Sequence, residues 1–430
     1  MNLKLNNIAI LFILVFIMSC NTNKKDNQLK QTPKNVTAKD ILGDSSYLAI
    51  SYGGYRLKSR DSQPTIPQLK NDMLILSAMG IRVLRTYNVQ LDHAKNVLKA
   101  IRELKSENPD FEMYVMLGAW IDCLNAWTDQ VPNHNVESAQ NEGEIARAVA
   151  LANEYPEIVK IIAVGNEAMV KWATSYYVEP WVILKWVNHL QELKKRGDLP
   201  NDLWITSSDD FSSWGGGDSL YHTEDLEKLV KAVDYVSMHT YPYHNTHYNP
   251  QFWKVPAEDV DKPELDQINN AMKRAIDFSK AQYDSVSNYM ASLGVVKPIH
   301  IGETGWATVS KGLYGPNGSR ATDEYKQGLY YKMMREWTNL NGISCFYFEA
   351  FNEQWKDAQH PNGSENHFGL FKIDGSAKYP IWDLVDQGIF EGLTRNGNAI
   401  RKTYNGDLDA LLLEVLVPPR ADGALIHSVN

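Results

Sequence analysis

The chain has 430 residues, room for one large domain or two ordinary ones, and its 43% hydrophobic and 22% charged content is that of a soluble globular protein. A formal net charge of −9 argues against the basic surface that nucleic acid requires, so no nucleic-acid partner is expected. Three cysteines exclude a disulfide framework, and Cys123 and Cys345, far apart in sequence, read as buried thiols.

The first twenty residues read as a targeting segment. Lys4 precedes an apolar run from Ile8 to Met18, which is the length of a secretory h-region and short for a membrane span. The run ends in Ile17-Met18-Ser19-Cys20, similar to a bacterial lipobox, which makes Cys20 the expected lipidation site. The competing reading is an ordinary signal peptide with an incidental cysteine. Residues 21–40 are polar and read as a flexible tether. An anchored protein of the bacterial cell envelope, on the outer membrane, is therefore expected, its catalytic part soluble and monomeric.

From residue 47 the chain alternates apolar strand-like runs with amphipathic helical stretches. The runs fall at 47–53, 81–87, 112–120, 159–167, 203–210, 233–241, 297–304 and 342–351, with helical patterns between them such as 66–80, 93–107 and 264–294. Short apolar strands separated by helices indicate a parallel sheet covered by helices. Eight of them over about 340 residues predict a (β/α)₈ barrel with long βα loops, spanning 41–390. An open doubly wound sheet would want a glycine-rich phosphate turn after an early strand, and "SYGGYR" lacks that spacing. Residues 391–430 carry the turn signals Asn396-Gly397 and Asn405-Gly406 and read as a small C-terminal extension, a hairpin packed on the barrel.

In such a barrel the site lies at the C-terminal ends of the strands. Those ends carry Tyr52, Tyr87, Trp120, Asn166-Glu167, Asp209-Asp210, His239, Tyr241, Glu303 and Glu349 to Glu353. Seven of the twelve tryptophans (Trp120, Trp127, Trp172, Trp214, Trp253, Trp306 and Trp355) also follow strand ends. Together they predict a long stacking cleft, as a polysaccharide requires, because sugar rings present apolar C–H faces. Glu167 ends strand four and Glu303 ends strand seven, positions that face each other across the barrel. Glycoside hydrolysis needs two such carboxyl groups, one protonated and one ionised. The bland alternative for either alone is a structural ion pair. His239, His244 and His247 fit no metal-ligand spacing, and Asp209-Asp210 suits sugar hydroxyls as well as a cation, so no metal or cofactor is expected.

Several stretches resemble glycoside hydrolase family 17, the β-1,3-glucanases, within the clan of retaining (β/α)₈ glycosidases. "ILSAMGIRVLRTYN", "VGNEA", "YVSMHTYPY" and "IGETGW" are similar to that family's second, fourth, sixth and seventh strands. The stretch "FYFEAFNEQWKDAQHPNGSENHFGLF" resembles its eighth-strand motif. The resemblance implies an endo-acting β-1,3-glucan hydrolase with Glu167 as acid/base and Glu303 as nucleophile. It further implies that Asn166 binds the sugar 2-hydroxyl, that Tyr241 holds Glu303, and that Tyr52, Tyr87 and Trp306 line the subsites around the cut. Glu353, Lys356 and Glu365 would form a polar cluster beside the acid. A nucleophilic carboxylate predicts carboxyl groups about 5–5.5 Å apart, a covalent glycosyl-enzyme and a retained anomeric configuration. Transglycosylation through the same intermediate, or glycan capture without catalysis, are the competing functions. The segment 243–264 is longer than a minimal family member needs.

Overall fold

The computed structural model describes residues 36–422. The expected signal peptide, Cys20 and most of the expected tether lie outside the described residues. Eight parallel strands close into a barrel: β1 (Leu48–Ser51), β2 (Ile81–Arg85), β3 (Tyr114–Ala119), β4 (Val159–Asn166), β5 (Trp204–Asp210), β6 (Val236–His239), β7 (Ile299–Gly305) and β8 (Cys345–Phe348). Every strand predicted from the sequence is a barrel strand, and the (β/α)₈ expectation holds. Helices follow the strands on the outside, for example Ile66–Ala78, Asp92–Glu107, Pro180–Arg196 and Glu324–Leu340.

Local chemistry explains these elements. In Asp92–Glu107 the buried positions Ala94, Val97, Leu98, Ile101 and Leu104 recur at three- and four-residue steps, one apolar stripe facing the strands. Ile66–Ala78 begins with a reciprocal cap: the Thr65 hydroxyl accepts the Gln68 N–H while the Gln68 amide accepts the Thr65 N–H at 2.9 Å. Pro180–Arg196 ends at Gly197, whose φ of +80° suits the left-handed stop.

The barrel interior changes character along its axis. At the N-terminal end Ala49, Val83, Met116, Ile161, Tyr235 and Phe346 form an apolar layer. Ala38, Ile41 and Leu42 pack into that layer from below, with Ala38–Ile41 forming one turn of helix. Residues 36–40, expected in the tether, thus belong to the folded unit: Ala38 is buried in the floor and Val36 packs against it, and their neighbours in space come later in the chain. Toward the C-terminal end the interior turns polar, with Arg85, Ser208, Ser237, His239 and Glu303 all buried. Gly302 makes room for that layer, since a Cβ there would stand 2.1 Å from Ser237 Oγ.

Two additions frame the cleft. The loop after β3 carries a small antiparallel hairpin, Cys123–Leu124 with Asn133–Glu137. The 243–264 segment contains the helix Pro242–Tyr248 and then buries Trp253, whose indole N–H donates to the Ser319 carbonyl at 2.6 Å. The C-terminal segment braces it: Val255 N–H donates to Pro419 O and Ala421 N–H to Val255 O, both at 2.9 Å. In the extension, Asn396 and Gly397 both take positive φ (53° and 81°) between the two-residue strands Thr394–Arg395 and Asn398–Ala399, a tight hairpin turn. Arg395 from this hairpin is fully buried against Asp72, 3.0 Å away.

Candidate active site

β4 ends in a sharp turn. Gly165 has φ +82°, and a Cβ there would meet the Ala168 side chain at 2.8 Å, so only glycine fits. Glu167 itself has φ +47°, and its N–H donates to Ser208 O at 3.0 Å. The turn points Glu167 back over the barrel mouth, where Oε1 lies 3.0 Å from His239 Nδ1. His239 Nε2 in turn lies 2.8 Å from Ser208 Oγ. Burial holds the imidazole down to about 4, so it is neutral at ordinary pH and orients Glu167 without charging it.

Glu303, on β7, faces the opposite environment. Tyr241 donates its hydroxyl to Oε1 at 2.5 Å and Tyr87 donates to Oε2 at 3.1 Å. Arg85 Nη1 also donates to Oε2, and its second nitrogen donates to Asn166 Oδ1. With its carbonyl taken by Arg85, Asn166 has its amide NH₂ left to donate to a ligand. Burial alone would raise the Glu303 carboxyl, but the charge of Arg85 and the Tyr241 hydrogen bond, with Lys356 beyond them, bring it down to about 2. Glu167 goes the other way: burial first, then the charges of Glu303, Asp210 and Glu365, push it well above the usual carboxylate range despite Arg85. One carboxyl is a proton carrier and the other an anion, the division that general acid and nucleophile require.

These groups open into a cleft of about 730 Å³ lined by Tyr52, Tyr55, Tyr87, Trp120, Trp127, Asn166, Glu303, Glu353, Trp355, Lys356 and Glu365. Tyr52 lies in its floor, its hydroxyl on Asp72 at 3.0 Å. Lys356 Nζ pairs with Glu349 at 2.9 Å and Glu353 at 3.8 Å. Burial works against the ammonium, and Glu349 and Glu353 outweigh it and hold its charge. Of this cluster, expected beside Glu167, Glu365 acts on Glu167 and also feels Glu303, while Lys356 acts on Glu303.

Trp306 is the clearest correction. It is wholly buried, donates its indole N–H to Ala321 O at 2.8 Å and packs against Trp253 and Tyr330. Trp214 and Trp253 are buried as well and Trp172 is exposed, while Trp120, Trp127 and Trp355 line the cleft. A strand-end position does not say which side of the barrel wall the ring takes. Asp209 is also structural: it accepts the Met169 N–H at 2.7 Å, shaping the turn after Glu167. Asp210 accepts the Ser212 N–H at 2.9 Å. His244 lies 3.1 Å from the Tyr314 hydroxyl, and His247 stands against Tyr248. Among the described residues no group of three or more His, Cys, Asp or Glu is arranged to hold a metal ion. Arg85 was not singled out from the sequence, and His239 and Glu349 were read only as strand-end residues, without their roles on Glu167 and Lys356. Arg85 was readable in principle, as the second arginine of the strand "IRVLR", at the C-terminal end where the site lies.

Residues 49–369 match the BtgE/BtgC glycoside hydrolase domain. The chain belongs to this family. The glycoside hydrolase is 65% identical to an endo-laminarinase from Formosa Hel1_33_131 whose crystal structure superposes with a TM-score of 0.89, covering 92% of this chain and 100% of that one. It is 22% identical over 311 residues to the putative glucan endo-1,3-beta-glucosidase btgC of Aspergillus niger, which is 70% of this chain and 37% of the relative, so it spans little over a third of that protein's length. It is 26% identical over 274 residues to a glucan 1,3-beta-glucosidase of Arthroderma benhamiae, 62% of this chain and 70% of the relative. A family 17 beta-1,3-glucanosyltransferase from Rhizomucor miehei shares the fold at 21% identity, TM-score 0.53, covering 78% of this chain and 97% of that one. The expected resemblance to β-1,3-glucanases is borne out.

Proposed function

We propose that this glycoside hydrolase cleaves β-1,3-glucan internally with retention of anomeric configuration. The observation that carries the proposal is the opposed protonation of Glu167 and Glu303 at the barrel mouth, where Glu303 and Asn166 line an aromatic cleft. Ionised Glu303 attacks the anomeric carbon while Glu167 gives its proton to the departing oxygen, leaving a glycosyl ester on Glu303. Water, deprotonated by Glu167, then releases the sugar and restores both groups. The Asn166 amide donates to the 2-hydroxyl of the ring being cut, and Tyr52 and Tyr87 flank that ring. The naming of the 65% identical relative as an endo-laminarinase supports both the substrate and the internal cut.

The test is Glu303→Gln with linear β-1,3-glucan. Turnover should vanish while glucan binding persists, and wild-type enzyme should release a spread of oligosaccharides early. Full activity in the variant overturns the nucleophile. Products longer than the substrate mean that a sugar, not water, takes the glycosyl group. The proposal also places the protein, as a monomer, on the bacterial envelope through a lipid on Cys20, supported by the lipobox-like Ile17-Met18-Ser19-Cys20. Cys20→Ser should release it from membranes into the soluble fraction.

A further inference from the structure

The loop after β8 is a wall between two cavities. Along 352–354 successive side chains alternate in direction. Glu353 turns to the catalytic cleft, where it accepts the Tyr55 N–H at 2.9 Å and the Trp355 indole N–H at 2.8 Å. Asn352 and Gln354 turn the other way and line a second cavity of about 720 Å³, the size of a small-ligand site. The reaction uses no part of it.

This cavity joins the barrel to the C-terminal extension. Its wall brings the Lys372 ammonium and the Asn352 and Gln354 amides together with the Asp374 and Glu414 carboxylates and the Tyr404 ring. Donors and acceptors are thus mixed, but carboxylates predominate: Asp323 and Glu324 line it too, four acidic side chains against the single Lys372 ammonium. An anion would meet Asp374 and Glu414. Two of the four carboxylates already have a cation, Asp323 the buried Lys326 and Glu324 the Lys372 ammonium at 3.8 Å, while Asp374 accepts the Ser376 N–H at 2.9 Å and Glu414 the Tyr404 hydroxyl, each with lone pairs left for a ligand's hydroxyls. Asn352 is fixed from behind: buried Lys378 donates to its Oδ1 at 2.9 Å. The Gln354 amide, by contrast, makes no hydrogen bond among the described residues, and so keeps two donors and an acceptor for a ligand. A neutral ligand whose groups both donate and accept suits such a wall, and a pyranose with its hydroxyls is that chemistry.

We propose that the second cavity binds a neutral β-glucan chain without cutting it. The proposal rests on the β-glucanase function inferred above. Held one backbone thickness from the cleft, a polymer engaged in the cavity raises the effective concentration of glucan at the catalytic carboxyls. A trisaccharide, too short to occupy both, gains nothing.

Two variants test this: Gln354→Ala/Asp374→Ala, which removes ligand partners, and Val309→Trp, which narrows the cavity from its half-exposed rim without removing a hydrogen bond. Both should raise KM on laminarin roughly tenfold with kcat unchanged and leave kcat/KM on laminaritriose as in wild type. On a Glu303→Gln background both should weaken, but not abolish, retardation in a laminarin gel. Unchanged KM and retardation in both variants overturn the site. Equal losses on trisaccharide and polymer also overturn it, because the cavity is then part of the catalytic cleft. Failure of the glucanase proposal is seen separately, as wild-type enzyme that cleaves no β-1,3-glucan. In that case laminarin retardation that depends on Gln354 and Asp374 still upholds the cavity, and its absence refutes it.

Discussion

Arg85 donates one guanidinium nitrogen to the carboxylate of Glu303 and the other to the amide carbonyl of Asn166, tying the two groups that would hold the sugar ring into one planar fork. The side chain is 1% exposed, so water cannot substitute for it. A lysine has a point charge and no fork. Arg85→Lys is therefore expected to lower kcat/KM by roughly a hundredfold or more, about 2.7 kcal/mol of transition-state stabilisation. Because Arg85 is the largest influence holding Glu303 down, the acid limb of the pH–rate profile should also move to higher pH. A profile shifted in height alone would assign Arg85 a purely architectural part.

Glu167 must be protonated to act and Glu303 ionised, so activity spans the interval between them. Wild-type kcat/KM should fall on the alkaline side as Glu167 loses its proton, with little loss down to mildly acidic pH, given Glu303 at about 2. Glu167→Gln should remove that alkaline limb and lower the rate on laminarin about 10³-fold, while an aryl glycoside with a good leaving group suffers less.

The same group makes a stability prediction. A carboxyl raised on folding binds its proton more tightly in the native state, so its contribution declines as pH rises from the unfolded value of about 4.5 through the folded one. Glu167→Gln removes that penalty. Its thermal midpoint should match wild type near pH 4 and exceed it at pH 7 and above.

Trp306 and Trp355 should separate packing from binding. Trp306→Ala leaves a large cavity in the core and is expected to cost about 3–5 kcal/mol of stability. Denaturant midpoints would report it, with KM unchanged in the folded fraction. Trp355, half-buried on the cleft, should do the reverse as Trp355→Ala: a higher KM and a small stability change.

Asp72 is fully buried under the cleft floor and takes the Tyr52 hydroxyl, Arg56 and Arg395. Removing Arg395, or ending the chain at 390, strips one of its two cations and should destabilise the protein by about 3–5 kcal/mol. If unfolding midpoints do not move, the extension contributes nothing to the floor.

Much of this was legible in the sequence because strands buried on both faces are near-continuous apolar runs, and a carboxylate at the end of such a run stands out. Glu167 and Glu303 were readable for that reason. Arg85 and His239 act from within or at the end of strands, and their partners Asn166, Ser208 and Glu303 are distant in sequence; only barrel closure brings them together. Trp306 was misplaced because it follows β7 by one residue, where a ring turns as readily into the wall as into the mouth. The division between the catalytic cleft and the second cavity depends on which way residues 352–354 face, and periodicity gives the alternation without its phase.

The helical turn Ala38–Ile41 that seals the barrel floor fixes more than a boundary. The polypeptide enters the fold at the end of the barrel opposite the carboxyls. An attachment made on the N-terminal side would therefore join the fold at the face away from the carboxyls, and the direction of the eight strands keeps the point of attachment and the mouth apart.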